Sequence, residues 1–172
     1  LAAVRAAPGD ATAWDRLESH VAEERAVDTI AEAYLEACQS EQGVPGSLAE
    51  RAVRFFEEWC GADSPRIAVV LERLLAVDPE QPWAFQRLTA FHSDGERWGD
   101  LLLVYDAAIG RATARGTRER LLSEAAGIAK DIAGEPDRAA GYLRELLSLR
   151  PDDAKTLATL ERLLERQERW RD

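Results

Sequence analysis

Two histidines, two cysteines and a few adjacent acids are the side chains of this 172-residue chain whose types suit catalysis or metal binding. His20 and His92 are the candidate general bases or zinc ligands, because an imidazole titrates near neutral pH and offers a ring nitrogen to a metal. A zinc site needs several ligands at close, characteristic spacings. Neither histidine has a second histidine or a cysteine so placed. Cys38 and Cys60 form no CxxC pair, and both read as partly buried free thiols on helices. Glu23 with Glu24, and Glu57 with Glu58, have the type for acid–base work, but adjacent glutamates on a helix form a solvated face. Gly43 and Gly46 belong to a turn, and neither a phosphate-cradling glycine loop nor a GxSxG elbow occurs. The expectation is a non-enzyme with no catalytic residue, no metal and no cofactor.

Composition narrows the partners. The net charge of −10 and pI near 4.8 disfavour nucleic acid, because neutralising phosphates needs clustered Lys and Arg. With 46% hydrophobic and 31% charged residues, the chain has the make-up of a soluble globular protein. No window reaches the unbroken apolar run of a membrane helix. The opening stretch LAAVRAAPGDATAW lacks the apolar heart of a secretory signal, which favours the cytoplasm. No methionine occurs, so the chain is expected to begin after processing or inside a larger protein. Abundant Arg and Ala read as the coding bias of a GC-rich, bacterial genome.

Residues with chemistry to do must be held by helices, because apolar positions recur at three and four residues almost throughout. Leu157, Leu160, Leu163 and Leu164 share one helical face, and Trp98, Leu101, Leu102, Tyr105, Ala108 and Ile109 another. The breaks predict helices over 11–22, 26–41, 48–60, 66–77, 82–93, 97–113, 118–133, 137–149 and 153–166. A further helix is expected from about 168, and residues 1–6 form the tail of an earlier one. Ser47 with Glu50 reads as a capping box, and Asp10 and Thr117 as N-caps.

The chain also repeats itself. Residues 71–100 align with 143–172 without a gap, so that Leu71 falls on Leu143, Pro79 on Pro151, Leu88 on Leu160 and Trp98 on Trp170. Pro8 begins a third copy. The spacing is close to twice the roughly 34 residues of a helix–turn–helix repeat.

The residues at repeating positions resemble the tetratricopeptide repeat. Trp14, Leu17, Val21, Val27, Ile30, Tyr34 and Ala37 fill its slots in order, as do Phe85, Leu88, His92, Trp98, Leu101, Tyr105 and Ala108. Leu157, Leu160, Leu164 and Trp170 begin a third set, and Pro8, Pro79 and Pro151 stand as the closing prolines. The pattern departs from the family where Glu18, Thr89 and Glu161 replace its small residue. The resemblance implies an all-α fold: an α-solenoid, a right-handed superhelix of about 4–5 antiparallel helix-turn-helix pairs. Residues 1–172 would then form a single repeat domain with units at 11–44, 47–79, 81–114, 118–151 and an incomplete 153–172, a fragment of a longer array.

In this family the first helices of successive units line a concave groove that holds a peptide or a partner's helix. By resemblance the groove would include Asp15, Ser19 and Glu23, then Arg51, Phe55 and Trp59, then Trp83, Gln86 and Ala90, and lastly Glu124, Ile128 and Asp131. The expected function is a non-catalytic scaffold binding a protein or peptide. The alternatives are a regulatory or assembly segment of a larger multidomain protein whose catalytic part lies elsewhere, and a solenoid that self-associates through its ends.

Overall fold

The computed structural model describes residues 1–20, 26–39 and 45–166. The described residues are all helical in class, with no strand. The helices are Ala2–Ala6 (α1), Ala11–Glu18 (α2), Ala26–Cys38 (α3), Gly46–Trp59 (α4) and Pro65–Val77 (α5), followed by Pro82–Asp94 (α6), Trp98–Arg111 (α7), Arg115–Asp131 (α8), Pro136–Leu149 (α9) and Ala154–Arg166 (α10). Close contacts group the chain into two compact units, Leu1–Phe91 and His92–Asp172, the division falling inside α6. In the first unit α4 packs on α5, α3 on both, and α1 on α2 and α3. In the second, α8 packs on α9, α7 on α8, and α10 on α9. No helix among the described residues is long and apolar enough to cross a membrane.

The sequence repeat has a local structural cause. Ala7, Asp78 and Arg150 each precede a proline, whose ring clashes with a helical conformation of the residue before it. All three leave the helix in nearly the same way, with φ of −140°, −128° and −130° and ψ of 78°, 87° and 77°. Each still donates its backbone N–H to the carbonyl four residues back, on Ala3, Leu74 and Leu146, at 3.0, 2.8 and 2.8 Å. Helices α5 and α9 therefore end 72 residues apart, and α6 and α10 begin 72 apart. The α4–α5 and α8–α9 turns share a second device. Gly61 and Gly134 take positive φ of 92° and 65°, a region that costs glycine little and other residues more.

Caps explain where helix starts differ from expectation. Asp10 is the predicted N-cap, its Oδ1 accepting from the N–H of Thr12 at 2.9 Å and of Ala13 at 3.4 Å. Asp153 does the same for α10, accepting from the N–H of Lys155 and Thr156 and from the Thr156 hydroxyl. Ser47 and Thr117 are not caps. Helix α4 begins earlier because the Pro45 carbonyl takes the N–H of Leu48 and Ala49, which places Ser47 inside the first turn. Helix α8 begins at Arg115, with the Arg118 N–H on the Ala114 carbonyl, so Thr117 is already helical.

Apolar stripes at three- and four-residue spacing face one another across the pairs. Leu48, Ala52 and Phe56 of α4 are buried, as are Ile67, Leu71 and Leu74 of α5. Leu122, Ala125 and Ala129 of α8 are buried, as are Ala139, Leu143 and Leu146 of α9. Trp14 and Tyr34 are fully buried and stack with ring centroids 3.9 Å apart and planes 7° from parallel. The Trp14 indole N–H donates to the Pro8 carbonyl at 2.8 Å, tying the repeat's tryptophan to its proline turn. Ala37, Leu88, Tyr105 and Leu160 are also buried, while Leu17, Phe85, Trp98 and Ala108 are half-buried. Leu157 is a correction: it stays 45% exposed, because α10 buries the stripe of Thr156, Leu160 and Leu163 and turns Leu157 off that face. Trp170 and Val21 lie outside the described residues.

Trp14→Ala removes the stacked ring and opens a cavity beneath Tyr34. It is expected to lower unfolding stability by about 3–5 kcal/mol. Urea unfolding followed by helical circular dichroism measures this, and a loss below about 1 kcal/mol would show that the ring is not a core element.

Candidate functional site

Burying a tyrosine ring leaves its hydroxyl in need of an acceptor, and this chain solves that problem three times. Tyr34 donates to Glu18, Tyr105 to Glu124 at 3.2 Å and Tyr142 to Asp106 at 2.6 Å, each carboxylate lying on another helix. Burial first, and then the neighbouring carboxylate, raises each phenol's pKa. Tyr105 and Tyr142 rise to about 12, and Tyr34 goes higher still. Such phenols stay protonated at neutral pH and act as fixed donors.

Arg51 is caught in the first of these networks. Its guanidinium takes both oxygens of Glu18 at 2.9 and 2.7 Å, Asp15 at 2.6 Å, the Tyr34 hydroxyl at 3.0 Å and the Ala11 carbonyl at 3.3 Å. Bonding to Glu18 holds it firmly protonated against the opposing effect of burial, with Asp15 and Tyr34 adding to the hold. Only 17% of the side chain is exposed, and Arg51 joins α2, α3 and α4. Phe55 is likewise inward, buried at 5.4 Å from Tyr34 and 6.0 Å from Phe56 between ring centroids.

These two placements correct the expected groove, and the cause is register. One residue along a helix is about 100° of rotation. The stripe through Arg51 and Phe55 points into the core, while Glu50, Val53, Arg54 and Glu57 line an open cleft. Opposite them are Trp83, Gln86, Arg87 and Ala90 of α6, of which Trp83, Gln86 and Ala90 were expected there. Both sets fall at i, i+3, i+4 and i+7, one face of each helix. The cleft holds about 520 Å³ and lies wholly within the first unit. Arg87 Nε donates to Glu57 at 2.7 Å and closes one charge pair across it. Glu50 and Arg54 make no ion pair among the described residues. The Trp83 indole is half-buried, with its N–H on the Gln81 side chain at 3.1 Å, and Gln81 is itself held by Asp78 at 2.6 Å. The sequence signal for the missed residues was the complementary pair Glu57 and Arg87.

The other expected groove residues do not gather at this cleft. Asp15 is exposed and paired with Arg51. Ser19 donates to the Arg16 carbonyl at 2.8 Å. Trp59 is 47% exposed at the end of α4. Glu124 bridges Tyr105 and Arg120, Asp131 sits beside Lys130, and Ile128 is half-buried. Glu23 and Glu24 lie outside the described residues.

His92 is buried, and His20 is exposed, with Nδ1 2.8 Å from the Arg16 carbonyl. Among the described residues no group of three or more His, Cys, Asp or Glu is arranged to hold a metal ion. Both cysteines are free thiols. Burial pushes the Cys38 thiol up to about 12, whereas Cys60 is half-exposed with the Arg66 guanidinium 3.8 Å from its sulfur. No family model matches this chain, and neither does any curated protein.

Glu119 of α8, a carboxylate with 8% side-chain exposure, is held by Arg150 and by Arg115, Arg115 Nε lying at 2.8 Å. Arg150 first and Arg115 second pull its pKa below the ordinary 4.5. The folded carboxyl is the stronger acid, so its contribution is complete above pH 4.5 and fades as pH falls through the lower folded value. Glu119→Gln should therefore destabilise the fold at neutral pH, and its difference from wild type should shrink as pH falls below that point. A pH series of urea midpoints reads both. In thiol labelling at neutral pH, Cys60 should react in the native protein and Cys38 only after unfolding. A native Cys60→Ser variant that labels as fast as wild type would contradict this.

Proposed function

We propose that the chain is a non-catalytic protein-interaction module of stacked helix pairs. A peptide or helix of a partner docks in the cleft between α4 and α6. One observation carries the reading: two facing helical stripes line one open cleft containing a half-buried tryptophan and charges of both signs. Tryptophan and arginine are the side chains that most often anchor protein interfaces. The volume falls among those of ligand-binding clefts, and four of the eight lining residues are charged, which suits a polypeptide better than a small apolar molecule. The resemblance to tetratricopeptide repeats and the three recurring proline turns support the further element of the proposal. That element is a right-handed α-solenoid, in which each helix pair buries the apolar face its neighbour leaves open.

The partner need not be identified for the test. A random peptide display library is selected on the full chain, and the enriched peptides are titrated against wild type, Trp83→Ala and Arg87→Glu. Each variant is first checked for matching circular dichroism. Loss of about tenfold or more in affinity with both variants is expected, since a buried anchor is worth about 2 kcal/mol. Enriched peptides that bind both variants as tightly as wild type would remove the cleft from the account.

A further inference from the structure

The second unit carries cations on α10 that no described acid pairs. A cleft of about 350 Å³ runs between α8, α9 and α10, with Leu143 and Leu146 at its apolar floor and Lys130, Arg150 and Lys155 among its walls. A recess of about 150 Å³ continues it, sharing Lys130 and Thr159 and adding Arg162 and Arg166. Lys130 and Lys155 are the only lysines in the chain. Lys155, Thr159, Arg162 and Arg166 fall on one face of α10.

Among the described residues, acids answer only part of this face. Lys155, Arg162 and Arg166 make no ion pair among the described residues. Glu119 takes the Arg150 guanidinium. Asp153 is already engaged by two backbone N–H groups and the Thr156 hydroxyl at the start of α10. Asp131 stands 3.3 Å from Lys130, its neighbour in sequence. Arg162 and Arg166, four apart on a helix, repel each other. In a chain of net charge −10 such a stripe runs against the overall field.

We propose that the α8–α10 cleft docks an acidic segment of a partner protein: a run of Asp and Glu against α10, with an apolar side chain over Leu143 and Leu146. The proposal rests on the interaction-module reading, in a second cleft, and names the chemistry of the partner. A short acidic peptide presents a few carboxylates to the stripe. A long polyphosphate would also meet the protein's own excess of negative charge.

The probe is a fluorescein-labelled peptide of repeating Glu-Asp-Leu, titrated against the full chain by anisotropy. Its Gln-Asn-Leu counterpart and an oligothymidylate of equal charge serve as controls. The acidic peptide is expected to bind at least tenfold tighter than the neutral one, and to weaken as salt rises. Lys155→Glu with Arg162→Glu should cost tenfold or more, and Lys155→Gln with Arg162→Gln a smaller part of that. Both substituted residues are exposed, and the Gln pair decides the matter if the reversed pair unfolds. Trp83→Ala should leave acidic-peptide binding unchanged, so failure of the α4–α6 cleft and failure of this one are read separately. Equal binding of acidic and neutral peptides, binding indifferent to Lys155 and Arg162, or tighter binding of the oligothymidylate would overturn the proposal.

Discussion

Apart from α8, the described helices have 14 residues or fewer, too few to stand alone in water. The longest, α8, has 17 residues, and most have 13 or 14. Isolated helices of such length are marginal even in favourable sequences, because nucleation is costly and stability comes from packing an apolar face. Everything else in the structure serves that requirement. The turns bring a helix back against its predecessor, and the apolar stripes make the return worthwhile. The polar networks satisfy what the packing buries.

The three tyrosines show how the last step works. A buried ring contributes much apolar area but carries a hydroxyl that must be bonded. Placing the acceptor carboxylate on a different helix converts that obligation into a cross-link. Tyr34, Tyr105 and Tyr142 all do so, and arginines neutralise all three acids, Glu18 through Arg51, Glu124 through Arg120 and Asp106 through Arg138. Many of the chain's arginines are thereby engaged inside the fold, which makes the cations of α10 that pair with no described acid informative.

Much of the architecture was legible in the sequence because it is written in residues with hard local consequences. Proline excludes helix from the residue before it, so Pro8, Pro79 and Pro151 marked turns that the structure builds alike at Ala7, Asp78 and Arg150. Trp14 and Tyr34 were legible as core because they fill large-residue slots of the tetratricopeptide pattern that the sequence resembles, and both are fully buried. The cleft was less legible. An amphipathic helix shows which face is apolar but not which polar flank is turned to a neighbour, and one residue of error moves a side chain about 100°. Hence Arg51 and Phe55 pointed inward, and Glu50, Val53, Arg54 and Glu57 took the cleft. Ser47 and Thr117 looked like caps by type, but backbone carbonyls of Pro45 and Ala114 start those helices sooner.

The dependence of each helix on its neighbour is most directly tested by native-state hydrogen exchange on Leu74→Ala. Leu74 belongs to α5, on which α4 packs, and is fully buried. If helices are held by their partners, amides of α4 and α5 should speed up together and by the same factor. Acceleration confined to α5, with α4 unchanged, would mean that the helices stand on their own and would contradict the account.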